Sequence, residues 1–292
     1  MLRSSIFFAA TYLFPILAIA ESVRQDGAPS ARQVAKSGAI GFALIGGPMS
    51  CCLHRFFAHS AFSASRNFRF VLAVVSSFAY QGGPLWWASK HRRHHKLCDE
   101  PGDPHSPVQL GFWRAFLGWT LDPEERHVDY AYVKHIAGYW ELEMLEYIWW
   151  IFPLAVYRIV RAAYGPAAAA VYVAAPLLVC RLVTLLFNVE FHKQGVELSV
   201  AKCRALDTAR FLGDLVGESA HAHHHMHPKA LLRPSLGPPY IDVPYYVFIL
   251  PLLELGLIHR NEPREPREPA EPAEPAEPAE ASARQEQNLK TN

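Results

Sequence analysis

Four short histidine-bearing boxes constrain this chain more than any other feature of its sequence. Residues three or four apart share one face of an α-helix, so three of the boxes can each present their donors from one side of a helix. The histidines of the first box are five apart, about 140° from each other on a regular helix, so one of them must sit where the helix ends or distorts. The boxes are His54-Arg-Phe-Phe-Ala-His59, His91-Arg-Arg-His94-His95, Asn188-Val-Glu-Phe-His192 and His221-Ala-His-His224-His225.

The boxes together offer nine imidazoles and one amide, enough ligands for two metal ions. A single box is a weak signal, because spaced histidines recur by chance. Imidazole suits Fe, Zn, Cu and Ni alike, but a structural zinc site closes with four ligands. Nine histidines fit two four- or five-coordinate ions with room for oxygen. The boxes therefore predict a dimetal site suited to O2 chemistry.

The apolar residues, 51% of the chain, fall in blocks that are typical of membrane spans. We predict four transmembrane helices, at about residues 6–20, 34–53, 147–163 and 166–187, with a tight turn at Tyr164-Gly-Pro166 between the last two. The first block also resembles a signal peptide cleaved after Ala20, although we favour a retained span. Glycines in the second span, among them Gly38 and Gly41, allow close helix packing. The net charge of +1 indicates no nucleic-acid partner.

If all four boxes bind one metal cluster, they must lie on one side of the membrane. Residues 68–80 are too few for a span and are predicted to form an interfacial helix. Lys and Arg surround the first two boxes, which predicts a cytosolic position. The predicted fold is an all-α integral membrane domain of residues 1–260, with a cytosolic helical cap (54–146 and 188–260) holding the dimetal site. The Glu-Pro repeats in residues 261–292 predict a disordered tail.

Cysteines and acidic residues near the boxes give two further expectations. The cysteines are odd in number and form no C-x-x-C motif, so we predict reduced thiols at Cys51, Cys52, Cys98, Cys180 and Cys203. Carboxylates can orient ligand imidazoles from outside the metal shell. The candidates are Asp103 and Glu218, which we favour, and Glu190 and Asp214.

Several motifs beyond the boxes resemble those of membrane fatty-acid desaturases of the stearoyl-CoA (delta-9) type. The run Gln81-Gly-Gly-Pro-Leu-Trp-Trp87 before the second box, and Asp103-Pro-His-Ser-Pro107 after it, are similar to that family's sequence. Asn188-x-x-x-His192-x-x-Gly195 and Gly217-Glu218-x-x-His221-x-x-His224-His225-x-x-Pro228 look like its later elements. The resemblance covers roughly residues 46–258.

The resemblance implies a non-haem diiron enzyme that inserts a cis double bond into a saturated acyl chain, with O2 and two electrons. It implies two Fe ions (Fe2+/Fe3+), with Asn188 holding a metal-bound water. Trp87 and Thr184 occupy the positions at which the family flanks the bent acyl chain. The implied iron ligands are His54, His59, His91, His94, His95, His192, His221, His224 and His225.

The same resemblance implies the partners and the location. The acyl group is expected on CoA, and the chain has no His-Pro-Gly-Gly haem segment, so we expect a separate electron donor, cytochrome b5 or a ferredoxin. The protein is expected in a lipid membrane with its metal site facing the cytosol: the endoplasmic reticulum in a eukaryote, the inner membrane in a bacterium.

The sequence departs from the family at the fourth box, which begins at His221, and leaves alternatives open. The box reads Ser219-Ala220 after Gly-Glu and contains an extra pair, His223 and His227, at i, i+4 spacing. We favour the triple that repeats the spacing of the second box, and we treat His105, His127, His135 and His259 as non-ligands as well. A related hydroxylase or ketolase would also use two metals. A metal-binding or transport protein would need ligands deep within its spans, whereas these follow span ends.

Overall fold

The computed structural model describes residues 9–192, 203–207, 211–234 and 241–261. The described residues up to Asn261 belong to one unit. Residues 262–292, most of the tail predicted to be disordered, lie outside the described residues, as do residues 6–8 of the first predicted span.

Helices account for most of the described chain. The α-helices are α1 Phe14–Asp26, α2 Ala31–Leu44, α3 Arg66–Ser76, α4 Pro84–Lys96, α5 Pro107–Leu110, α6 Trp119–Leu121, α7 Tyr130–Val133, α8 Trp140–Ile148, α9 Ile151–Ala169, α10 Ala175–Glu190, α11 Phe211–Val216, α12 His221–Met226 and α13 Leu250–Glu254. The π-helical segments are Ala9–Leu13, Ile45–Ala58, Arg114–Gly118, Ala170–Ala174 and Tyr245–Ile249, and the 3-10 turns are Ser77–Ala79 and Glu124–Arg126.

The all-α prediction needs one small correction. Strands β1 (Phe62–Ala64) and β2 (Ile258–Arg260) pair antiparallel, with Phe62 opposite Arg260 and Ala64 opposite Ile258. Because this pairing joins residues nearly two hundred positions apart, no local hairpin signal marks it. It ties the end of the described chain to the loop that follows the first box.

Among the described residues, two helical stretches are long and apolar enough to cross a membrane, Ala31–Ala58 and Ile151–Glu190. The first begins at a capping box, in which the Gln33 amide donates to Ser30 Oγ and the Ser30 amide donates to Gln33 Oε1. The second is broken at Gly165, whose φ of 84° is not helical, at the turn that the sequence predicts. Tyr157 before the break shares an apolar cluster with Val173 after it, so the chain folds back on itself.

The third span is predicted to begin at Tyr147, four residues before the helix begins at Ile151. Helix α8 ends at Ile148 and α9 begins at Ile151, so residues 147–150 lie at a helix junction. Pro153 falls in the first turn of α9, where the missing N–H of proline costs no hydrogen bond. Residues 68–80 form the short helix α3 and one 3-10 turn, which end at Tyr80 in the left-handed conformation.

Close packing between α2 and α10 positions the helix that carries Asn188. A Cβ placed on Gly41 would lie 2.6 Å from Val179 Cγ1, so only glycine allows this approach. Gly38, one turn earlier, has nothing within 4 Å of such an atom. The glycines of the second predicted span therefore differ in their roles.

Candidate metal centre

The first box lies at the end of a π-helix. The segment Ile45–Ala58 is π-helical, and the His59 amide donates to His54 O at 3.1 Å. A π-helix bonds residues five apart, which brings i and i+5 onto one face. The two rings are 5.0 Å apart between centroids. The distortion expected from their spacing is therefore this π-helix.

The second box lies on α4 and the fourth on α12, and each triple of histidines is divided between two groups of imidazoles. The members at i and i+4 go to one group, and the remaining histidine goes to the other. Group A contains His54, His59, His91, His95 and His224, and group B contains His94, His192, His221 and His225. The structure thus brings together all nine histidines that the sequence predicts, in sets of five and four.

The Nε2 atoms converge within each group. In group A, His224 Nε2 lies 2.9 Å from His54 Nε2 and 3.0 Å from His95 Nε2. His91 Nε2 lies 2.8 Å from His59 Nε2 and 3.0 Å from His95 Nε2. In group B, the corresponding distances from His221 are 3.0 Å to His192 and 3.2 Å to His225.

These separations fit imidazoles that share a metal ion. A zinc-like ion lies about 2.0–2.1 Å from imidazole nitrogen, so two ligands at a right angle are about 3.0 Å apart. Lone pairs that face each other this closely repel, unless a cation lies between them or one ring donates a proton. Ring nitrogens from four separate segments meet in this way, and the donor set therefore fits two metal ions.

Carboxylates hold the outer nitrogens of several of these rings. Glu218 Oε1 lies 2.9 Å from His54 Nδ1, and Asp103 Oδ2 lies 2.9 Å from His94 Nδ1. Both acids were the favoured candidates in the sequence. Asp99, which the sequence reasoning missed, lies 3.3 Å from His192 Nδ1. Its only sequence signal is its position in the loop between the second box and Asp103.

These carboxylates are kept ionised by cationic neighbours and hydrogen bonds. Burial alone would raise the pKa of Glu218, but Arg233, 2.9 Å away, and His54 hold it well below its usual value. The pKa of Asp103 is likewise lowered, because His94 outweighs burial. An ionised carboxylate accepts the Nδ1 proton and leaves Nε2 free to bind a metal. Asp214 is different, since burial raises its pKa and its hydrogen-bond partner is Ser219.

Trp87, Thr184 and Asn188 line one cavity beside the histidines. Trp87 stacks on His91 at 4.8 Å, with the ring planes 15° apart. Thr184 and Asn188 come from α10, and His91 and His105 are among the other residues that line the cavity. The cavity is about 20 Å³ in this structure, room for about one water molecule. The predicted acyl-flanking residues and the predicted water ligand therefore lie together.

The extra histidines stand apart from the two groups. His223 and His227 face each other at 4.7 Å between ring centroids, and His227 is exposed. His105, also predicted as a non-ligand, is buried 4.4 Å from the His94 ring and beside Trp119. Glu190 ends α10.

The prediction of five reduced thiols is wrong for two of them. Cys98 and Cys203 form a disulfide, while Cys51, Cys52 and Cys180 are buried thiols. Cys98 follows the second box, and Cys203 lies 105 residues later. Such a separation gives no spacing signal; the fold of the metal centre brings the two together. Cys203 Sγ lies 3.4 Å from His225 Nδ1, and Cys98 Sγ lies 3.7 Å from His192 Nδ1.

Comparison with known proteins assigns the family. The sequence model for fatty acid desaturases matches residues 37–247, which include every histidine box. The chain belongs to the fatty acid desaturase family. This is a family of membrane-associated oxidoreductases of lipid metabolism, so the resemblance seen in the motifs is confirmed at the family level.

Three similar proteins illustrate the range of the family. Delta-9 desaturase-like 5 protein of Arabidopsis thaliana is 30% identical over 219 residues, 68% of this chain and 66% of the relative. Icosanoyl-CoA 5-desaturase of Limnanthes douglasii is 40% identical over 76 residues, 26% and 21% of the two chains. The sn-2 palmitoyl-lipid 9-desaturase of Nostoc sp. (strain 36) is 33% identical over 94 residues, 31% and 33%. The matches thus span from a fifth to two thirds of these relatives.

Proposed function

We propose that this desaturase is a diiron acyl desaturase of the stearoyl-CoA type. It inserts a cis double bond at the delta-9 position of a saturated acyl-CoA, using O2 and two electrons from cytochrome b5 or a ferredoxin. The observation that carries the proposal is the convergence of nine Nε2-bearing rings in groups of five and four. Neutral imidazoles suit iron, and two ions so held would keep positions open for oxygen.

The chain's own residues have distinct tasks in this scheme. When bound, the two irons supply the oxidising chemistry that removes two hydrogens from an unactivated acyl segment. Glu218 and Asp103 fix the tautomers and orientations of His54 and His94. Trp87 lies across His91, where it and Thr184 would flank the acyl carbons. Asn188 would complete group B through a water molecule.

The membrane arrangement is part of the same proposal. We place four spans in the membrane, the first including α1, with both groups of histidines on the cytosolic side. Exposed apolar side chains on α1 and α9, including Leu17 at 62% and Ile159 at 67% exposure, support contact with lipid. Residues 1–260 would form the membrane domain, and residues 261–292 a disordered tail.

Product analysis in a desaturase-deficient host tests the function. Expression with a working electron donor should yield acyl chains with a new cis double bond, located by gas chromatography and mass spectrometry. His224→Ala should abolish the product, whereas His223→Ala, a change at the neighbouring position outside both groups, should retain it. A hydroxylated or keto product would identify a hydroxylase or ketolase instead, and stable protein with no modified chain would refute the proposal.

Metal content gives an independent check. Protein purified from iron-replete cells should contain two irons per chain. Removal of the iron with a chelator should abolish turnover. Folded protein that contains no iron after expression in iron-replete cells would contradict the diiron assignment. In vitro assays with the acyl group on CoA, carrier protein or lipid would then identify the carrier.

A further inference from the structure

An arginine shares the α10 face that lines the cavity. Arg181, Thr184, Asn188 and His192 follow one another at spacings of three and four residues, so they lie on one side of the helix. Arg181, Thr184 and Asn188 all line the cavity. At 1.5 Å of rise per residue, Arg181 lies about 10 Å beyond Asn188, away from the histidines. It therefore occupies the end of this face farthest from the metal centre.

Arg181 is part of a buried polar network. Its side chain is fully buried, and its guanidinium donates to Gln81 Oε1 at 3.1 Å and to Tyr12 Oη at 3.4 Å. Tyr12 Oη lies 2.6 Å from Thr120 Oγ1. Gln81 Nε2 in turn donates to Cys180 O at 3.2 Å. The network links the π-helical segment Ala9–Leu13, α6, α10 and the loop before α4, so the guanidinium is held in place from several sides.

We propose that the acyl chain, when bound, follows this face of α10, and that Arg181 stands at the far end of its path and limits the number of carbons that fit beyond the reacting pair. This inference rests on the proposed function. A charged side chain inside a membrane-spanning helix is costly and marks a functional position. Here it replaces the apolar wall that would suit a long hydrocarbon tail. The substrate class is therefore an acyl chain whose segment beyond the reacting carbons is short.

The upper limit of acyl chain length is expected to be sharp. A longer tail would have to push the guanidinium away from Gln81 and Tyr12, and would leave buried donors and acceptors without partners. One methylene in an apolar pocket changes the specificity constant by about 10–200-fold. A carbon beyond the limit should therefore lower kcat/KM at least tenfold, because it adds the loss of these hydrogen bonds to the misfit, whereas a shorter chain loses apolar contacts only.

The wild-type protein tests the first half of the inference. The desaturase-deficient host, expressing the full chain, is fed saturated fatty acids of defined lengths, and the products are quantified by gas chromatography. We expect a sharp upper limit of chain length. Similar yields at all longer lengths would overturn the inference and leave the proposed function intact. No product at any length would contradict the proposed function itself.

A variant tests the second half. Arg181→Leu should accept longer chains, with at least a tenfold gain at the first length that the wild type rejects. Arg161→Leu is the matched control, because Arg161 pairs with Glu21 on an exposed surface; its limit should equal that of the wild type. An unchanged limit in Arg181→Leu, or an iron-loaded variant without any product, would overturn the assignment. Arg181→Met, which keeps a long aliphatic stem, replaces Arg181→Leu if the latter fails to accumulate.

Discussion

Glu218 is an acidic residue that lies against both groups of histidines. One carboxylate oxygen contacts His54 Nδ1 of group A at 2.9 Å and Arg233 at 2.9 Å. The other lies 3.5 Å from His221 Nδ1 of group B. A single side chain therefore orients one ligand in each group, and its charge is balanced by a buried guanidinium.

Replacing Glu218 with Gln should weaken metal binding without preventing folding. The amide is uncharged, so it loses the ionic partnership with Arg233 and accepts the His54 proton less strongly. Loss of such an outer partner typically lowers metal affinity about 10–100-fold. Competition with a chelator, followed by iron analysis, measures the change. Glu141→Gln is the control, since Glu141 pairs with Arg66; equal iron retention in the two variants would contradict the role of Glu218.

At the scale of helices, Gly41 sets the distance between α2 and α10. Gly41→Ala would place a methyl group against Val179 and should destabilise the protein by about 1–3 kcal/mol. Gly38→Ala, on the same helix, meets open space and should be neutral or slightly stabilising because alanine favours helix. Thermal unfolding in detergent distinguishes them. Equal midpoints for the two variants would show that α2 and α10 are not tightly packed.

The Cys98–Cys203 disulfide joins the loop after the second box to the segment between the third and fourth boxes. Because the loop it closes is long, its loss should cost about 2–5 kcal/mol. The double variant Cys98→Ser/Cys203→Ser should unfold at a lower temperature than the oxidised wild type. Reduction should lower the wild-type midpoint to a similar value and leave the variant unchanged. A reductant effect of the same size on the variant would rule out this disulfide as the cause.

For the molecule as a whole, the sequence predicts which residues meet but not how they are divided. Periodicity identifies the face of a helix, and the i, i+5 spacing of His54 and His59 correctly requires a distortion. Periodicity does not predict that His94 belongs to group B while His91 and His95 belong to group A, because that division depends on how α4 and α12 are oriented. The Asp99 contact and the Cys203 disulfide arise from loops that meet only in the fold.

Burying so many neutral imidazoles makes the metal-free protein sensitive to acid. Burial lowers the pKa of His221 to about 3, with His192 and other rings adding to the effect, and lowers that of His91 well below its usual value. In the unfolded chain these groups titrate near pH 6.5. Below that pH the unfolded state binds more protons than the folded state, so acid favours unfolding.

Titration of these imidazoles should therefore leave the free energy of unfolding of the chelator-treated protein unchanged above about pH 7. Below about pH 6.5 it should make that free energy fall steadily. Each such imidazole contributes at most about 1.4 kcal/mol per pH unit, and for His221 the loss continues to about pH 3. Unfolding midpoints measured between pH 5 and 8 check this. His221→Asn should reduce the dependence of the free energy of unfolding on pH by up to about 1.4 kcal/mol per pH unit, the effect of one proton. Greater stability at pH 5 than at pH 7 would mean that the imidazoles are not buried in the neutral form. A ring that is neutral in the folded protein binds a proton only on unfolding, so acid can only lower the free energy of unfolding.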